Sequence, residues 1–446
     1  MNILKKFFSP LCLLISIFLF IYVFYKSQIY WDGQKNNYYQ IYYIISLTLI
    51  ILSILTFYLN EMIKEYLIIS LISALISFYI FEFYLTFKIV DSKEQRFQKQ
   101  MTIKKKEFLD KTNQKFDVRS RYEIFADLRK QDPKIQVSYH QNLLIKKNDI
   151  FPFGGISNSK TIHCNENGYY SIYESDRYGF NNPDKEWDQE NLEFLIVGDS
   201  HAHGACVNRP HDIASVLRNL SNKSVLNLGY SGWGSLIKYA ILREYLIPNV
   251  NNILWVYFEG NDLDDLKNEL GSDLLIEYYK NLNFSQNLKK RQTEIDNIAS
   301  AAILKEVKQA QGNKINFDMK KFIKMNLVRQ KITTSFLIKK KQKKKLPITE
   351  FKKILSLVKE LAKKNGSNLY FVYFPEYSRY KNNYDNSNYI LIKKIVDELN
   401  ISFIDINKKV FEKEREPLNL FPFGLFGHYN QNGYRKIAEA IYNSIQ

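Results

Sequence analysis

The stretch Phe194-Leu-Ile-Val-Gly-Asp-Ser200-His201 decides how this chain is read. Four apolar residues run straight into Gly198-Asp199-Ser200, the pattern of a strand that stops at an abrupt turn. At the carboxyl edge of a parallel sheet, loops open onto solvent and the following helix presents free backbone N–H groups. A serine placed there is set up as a nucleophile. Gly, Asp and Ser are also ordinary turn residues, so the tripeptide alone reads first as a simple turn. The residues at the ends of the other strands have to decide.

From residue 191 onward, apolar strand-like runs alternate with helix-like stretches. Strands are expected at 192–197, 224–228, 252–258, 369–374 and 402–406, and helices at 212–220, 235–246, 350–364, 389–399 and 432–445. Within the third of these strands, residues 253–258 are apolar throughout, as a strand buried on both faces requires. Such alternation predicts a parallel sheet covered by helices on both faces, a three-layer α/β/α domain. Its strands are followed in turn by Gly198-Asp199-Ser200, by Asn227-Leu-Gly-Tyr-Ser-Gly232-Trp-Gly234, and by Glu259-Gly260-Asn261-Asp262. Gly427-His428 stands just before the last helix.

Four motifs in this order resemble the four blocks of the SGNH, or GDSL-type, hydrolases, named for their Ser, Gly, Asn and His. The resemblance covers about 194–446, with a helical insertion at about 263–345. It implies a flavodoxin-like α/β/α fold and chemistry on acyl esters. Ser200 would be the nucleophile and His428 its general base. The backbone N–H groups of Ser200 and Gly232, with the side-chain amide of Asn261, would form the oxyanion hole. No cofactor or metal is implied. The pattern departs at one position, because the family carries an Asp three residues before the His and this chain has Leu425. The run Phe421-Pro-Phe-Gly-Leu-Phe-Gly427 holds no acid at all. A carboxylate from elsewhere, a backbone carbonyl, a Ser-His dyad and a catalytically silent binding protein all remain open.

The aromatic stretch 164–183 supplies Arg177 and Asn181 as candidate cleft residues, although a packed loop explains its composition as well. His201 and His203 flank Ala202 beside the serine without an evident third ligand, so they make a poor zinc site. His140, His163 and His211 lack motif context. Three cysteines are too few for a disulfide scaffold and lack metal-site spacing. Cys12 lies in an apolar run, which leaves Cys164 and Cys206 as the pair able to form a disulfide in an oxidising compartment.

The N-terminal region 1–89 reads as a membrane anchor with spans at 7–25, 41–59 and 66–85, each about the length that crosses hydrocarbon. Glu82 falls near the end of the third, where a carboxylate reaches the interface. A polar linker, 90–150, carries a charged helix at 92–110, and the hydrolase-like domain occupies 151–446. Lys5 and Lys6 hold the N-terminus in the cytoplasm, so an odd number of spans sends the domain outward. The lysines that follow the third span argue the other way, but large domains translocate largely regardless of charge.

The formal charge of +17, from 63 Lys and Arg against 46 Asp and Glu, favours acidic surroundings. Its densest part, 339–345, suits an anionic lipid or polymer, and no recognition motif points to nucleic acid. The sequence therefore reads as a multi-pass membrane protein with an extracytoplasmic esterase or O-acyltransferase domain, taking acylated carbohydrate or a lipid-linked glycan as its substrate. A lysophospholipase or thioesterase would use the same residues.

Overall fold

A computed structural model describes residues 2–31, 33, 36–139, 150–312, 319–337, 346–381 and 384–446. The chain forms two compact units, Met1–Arg96 with Asn316–Lys341, and Phe97–Ile315 with Gln342–Gln446. The basic run 339–345 and His140 lie outside the described residues.

In the first unit, the stretches Ile3–Tyr30, Tyr38–Tyr58 and Glu61–Lys88 are helical, long and apolar enough to cross a membrane. Two short helices from the 263–345 segment, Met319–Ile323 and Asn326–Leu337, belong to this unit, whereas Asp262–Glu269, Asp273–Lys280 and Gln292–Gly312 belong to the second. Glu82, near the end of the third stretch, has its partners within this unit. It is only 1% exposed, and its carboxylate accepts the backbone N–H groups of Leu327 (3.0 Å) and Val328 (2.7 Å). The first N–H groups of a helix have no partner within it and carry the positive end of its dipole, so this acid is satisfied as a cap.

The second unit contains a small sheet and a large one. The small sheet has strands β1 (Gln136–Val137), β2 (Lys160–Ile162) and β3 (Ile172–Glu174) in that order. The large one comprises β4 (Leu192–Val197), β5 (Val225–Asn227), β6 (Val250–Phe258), β7 (Asn368–Phe374) and β8 (Ser402–Asp405). Its order is β5-β4-β6-β7-β8, and every neighbouring pair is parallel. This is the expected doubly covered α/β/α sheet.

Successive side chains on a strand point to opposite faces, and both faces here are buried. Leu195, Val197, Trp255 and Phe371 pack with helices Ser235–Tyr245 and Ile348–Asn365. Phe194, Ile196, Val256 and Val372 pack on the other side with helices Ile213–Ser221 and Gln431–Ile445. From β4 the chain goes out to β5, then returns to lay β6 on the opposite edge of β4. That reversal makes the carboxyl end of β4 the switch point of the sheet, the place where open parallel sheets bind ligands.

A buried ion pair lies by this edge of the sheet. Lys238, inside helix Ser235–Tyr245, pairs with Asp262, the first residue of helix Asp262–Glu269, and neither side chain is exposed. The ammonium also donates to Val256 O (3.1 Å), and the Asp262 carboxylate accepts from Phe258 N (3.2 Å). Replacing Lys238 with Met strands an acid in the core, and about 3–5 kcal/mol of stability should be lost. Thermal unfolding of the detergent-solubilised chain will measure this, and Lys238→Met/Asp262→Leu should cost less than Lys238→Met alone.

Candidate active site

Ser200 is the first residue of a one-turn helix, Ser200–His203, that begins directly after β4. Asp199 caps that turn by accepting the N–H of His201 at 2.9 Å. The turn fits against β6 only because position 198 has no side chain. A Cβ there would lie 2.4 Å from the Cβ of Ala202 and 2.9 Å from that of Val256. His428 enters from the loop before helix Gln431–Ile445, whose cap, Asn430, accepts the N–H of Gly433 at 2.9 Å. The His428 Nε2 stands 2.8 Å from Ser200 Oγ.

Position 425 is Leu, and a carboxylate reaches His428 from another part of the chain. Glu166, on the loop between β2 and β3, sets Oε1 3.0 Å from His428 Nδ1, and its Oε2 accepts the backbone N–H of His428 at 2.6 Å. A Cβ at Gly427 would fall 2.6 Å from Glu166 Oε2, so the glycine before the histidine makes room for the carboxylate. With Nδ1–H donated to Glu166, Nε2 is left to accept the hydroxyl proton of Ser200. Serine, imidazole and carboxylate thus form one hydrogen-bonded chain.

The electrostatics follow from that chain. Burial by itself would lower the pKa of His428, but the Glu166 carboxylate and its hydrogen bond outweigh burial and raise it above 6.5. Burial would likewise raise Glu166, and the imidazole overrides it, holding the carboxyl below 4.5. Asp199 is brought down to about 2 against its own burial, chiefly by His201 and then Lys238. His201, stacked 3.8 Å from the Phe258 ring, is pushed down by burial, and His203 falls for the same reason to about 3. Both imidazoles are buried beside Ser200.

The other two blocks come to the same edge. Gly232, after β5, has φ +82°, a left-handed conformation that favours glycine. Its loop is fastened by Glu269, which accepts the N–H groups of Gly234 (2.5 Å), Leu236 (3.0 Å) and Ile237 (3.3 Å) at the start of helix Ser235–Tyr245. Burial drives the Glu269 carboxyl up to about 8. Asn261, after β6, precedes helix Asp262–Glu269, and its side-chain carbonyl is buried without a hydrogen-bond partner. Ser200, Gly232 and Asn261 therefore follow three strands that are neighbours in the sheet.

The two candidate cleft residues sit differently. Arg177 is engaged by Asp184 (2.7 Å) and Asp188 (2.6 Å). Asn181 is 2% exposed and donates to His203 O at 3.2 Å, which is a scaffold contact. Cys164 and Cys206 are joined in a disulfide across 42 residues. Glu166, Cys206 and His428 place donor atoms within 4.8 Å of one another, but the Cys206 sulfur is already bonded and offers no thiolate. The residue that sequence reasoning missed is Glu166. Its signal was the cysteine pair, since joining Cys164 to Cys206 carries an acid two residues from one cysteine toward a serine six residues from the other.

No protein-family model matches the chain, and no curated protein matches it. Its fold is similar to several solved structures. One is a G-D-S-L family lipolytic protein from Desulfitobacterium hafniense, at 12% identity over 57% of this chain and 99% of that one, with a TM-score of 0.32. Another G-D-S-L family protein, from Veillonella parvula, matches at 13% identity over 56% and 97%, with a TM-score of 0.32. The acetylxylan esterase Axe2 from Geobacillus stearothermophilus matches at 13% identity over 57% and 94%, with a TM-score of 0.31. Identities and TM-scores this low carry nothing to the site, whose reading rests on the distances above.

The Glu166–His428 pair has a measurable consequence. A carboxylate beside Nδ1 favours the imidazolium, and a neutral amide does not, so His428 should titrate above the ordinary histidine value and Glu166→Gln should bring it down. Gly427→Ala, by displacing the carboxylate, should act in the same direction. NMR titration of the imidazole in the three proteins checks both signs.

Proposed function

We propose that the chain is a membrane-anchored serine esterase or O-acyltransferase acting on acyl esters, acetyl esters foremost, of cell-envelope carbohydrate. The observation that carries the reading is the hydrogen-bonded chain from Ser200 through His428 to Glu166. Ser200 Oγ attacks the acyl carbonyl as its proton passes to His428 Nε2, and Glu166 stabilises the imidazolium so formed. The tetrahedral oxyanion is met by the backbone N–H groups of Ser200 and Gly232 and the amide of Asn261. His428 then returns the proton to the leaving alcohol, which departs and leaves an acyl-serine. Water, or the hydroxyl of a sugar, gives its proton to His428 and takes the acyl group.

Two further features support the cellular side of the proposal. Three helices are of membrane-spanning length and hydropathy, and the second unit carries a disulfide, a bond that persists in oxidising compartments. The domain accordingly faces outward, where envelope glycans are its accessible esters. The silent binding protein drew its support from a missing acid, and the carboxylate at Nδ1 removes that support.

The test uses the full chain in detergent. It should release acetate from acetylated oligosaccharides and p-nitrophenol from p-nitrophenyl acetate, and a fluorophosphonate should label Ser200. Ser200→Ala should lose about 10⁴-fold or more in kcat, and Asn261→Ala about 10²–10³-fold. Absence of both turnover and labelling would overturn the esterase reading, and faster turnover of long-chain than acetyl esters would redirect it to a lipase or thioesterase. For orientation, a C-terminal alkaline phosphatase fusion should be active, and an inactive fusion would place the domain in the cytoplasm.

A further inference from the structure

Glu166 differs from the serine and the histidine in how it is held. Ser200 and His428 follow from the large sheet and its helices, whereas Glu166 rides on the loop between β2 and β3, part of the separate small sheet. That loop is shaped by bonds away from His428, with Ser171 N donating to Cys164 O (2.9 Å) and Asp117 N to Gly168 O (2.9 Å). On the side of the large sheet, Glu166 holds His428, Asn167 Nδ2 donates to Cys206 O (2.9 Å), and Ile172 N donates to Asn208 Oδ1 (2.8 Å). Gln431 Nε2 also donates to Tyr169 Oη (2.9 Å). The one covalent link in this set is Cys164–Cys206.

Cys206 lies six residues beyond Ser200, after the left-handed Gly204 that ends the serine's helix, and itself adopts φ +63°, which side chains rarely take. Backbone held in a sparsely populated conformation beside an active site is a recurrent sign of a position fixed for function. The Cys206 sulfur is 3.9 Å from His428 Nδ1, the same nitrogen that Glu166 occupies, so the disulfide also covers that hydrogen bond.

Resting on the acyl-transfer reading above, we propose that the Cys164–Cys206 disulfide is a positioning element of the site, fastening Glu166 against His428 so that the base is fully competent only while the bond is intact. A dithiol reverses it. One thiolate of the reductant attacks a cysteine sulfur and the other cysteine leaves as a thiolate. The second thiol of the reductant then closes its own ring, giving two cysteine thiols and one cyclic disulfide. Once freed, the loop leaves Glu166 tethered by hydrogen bonds alone, and His428 loses the partner that fixes its tautomer.

A double-mutant cycle on the full chain in detergent separates positioning from general scaffolding. Dithiothreitol treatment, or Cys164→Ala/Cys206→Ala, should lower kcat by about 10- to 100-fold with little change in KM, the scale of a catalytic group displaced by about 1 Å. The same loss of the disulfide in a Glu166→Gln background should cost nothing further, since the carboxylate it positions is already gone. NMR titration adds a reading independent of turnover. Loss of the disulfide should lower the His428 pKa when Glu166 is present and leave it unmoved in the Glu166→Gln background. Equal losses in both backgrounds, or no loss in either, would overturn the proposal, and a melting curve confirms that each sample is folded. If the oxidised wild type neither turns over nor reacts with fluorophosphonate, the esterase reading fails instead, and the titration still decides what the disulfide does.

Discussion

The hydrogen bond between Glu166 and His428 Nδ1 is the interaction on which the rest of the site depends. An imidazole can take a proton from serine only if its other nitrogen keeps its own, and a carboxylate at Nδ1 enforces that arrangement. Without it, the 2.8 Å contact between Nε2 and Ser200 Oγ is compatible with either tautomer, and one of the two leaves the serine unactivated. The second hydrogen bond, from the backbone N–H of His428, ties the carboxylate to the histidine's own main chain. Gly427 is the steric condition for both bonds.

Around this bond the sheet supplies rigidity where the chemistry needs it. β4, β5 and β6 are adjacent, parallel and buried on both faces, so the segments that leave their carboxyl ends begin from fixed points. Close backbone approaches then set the details. A Cβ at Gly234 would meet the Leu266 nitrogen at 2.5 Å, and one at Gly229 the His203 nitrogen at 2.6 Å, so the glycines after β5 are also where its loop touches the helices that follow β6 and β4. Buried carboxyl groups finish the work, Glu269 on the N–H groups that follow Gly232 and Asp262 on the turn that carries Asn261. Such groups are costly to bury without partners, and here the partners are backbone N–H groups and the Lys238 ammonium.

The parts legible in the sequence were those governed by local rules. Strand β4 falls on the expected residues because a continuous apolar run closed by Gly-Asp-Ser has few other readings, and helix Gln431–Ile445 begins one residue from its expected start. Ser200, Gly232, Asn261 and His428 were legible because each closely follows a strand or precedes a helix. Glu166 was not, because its role depends on a contact across 262 residues that no local spacing encodes. Arg177 and Asn181 drew attention as polar residues in an aromatic loop. Their fates depend on tertiary partners, Asp184 and Asp188 for the one and His203 O for the other. Glu82 was illegible for the same reason, since its partners lie in a segment 245 residues away.

The carboxylate at His428 comes from the loop of the small sheet, not from the loop that carries the histidine. An Asp three residues before the histidine would belong to the same loop as the base, and its position would be inherited from that loop. Here the corresponding residue is Leu425, and the carboxylate arrives from a different sheet, so its position has to be secured between two structural layers. Hydrogen bonds that compete with water secure such contacts only modestly, each worth about 1 kcal/mol net. A covalent bond between the loop and the segment after Ser200 secures them independently of that competition. On the proposed acyl-transfer reading, strands β1 to β3 are therefore joined to the Ser200–His428 pair through the Glu166 side chain and one disulfide, and the site reaches beyond the large sheet to a hairpin that precedes it in the chain.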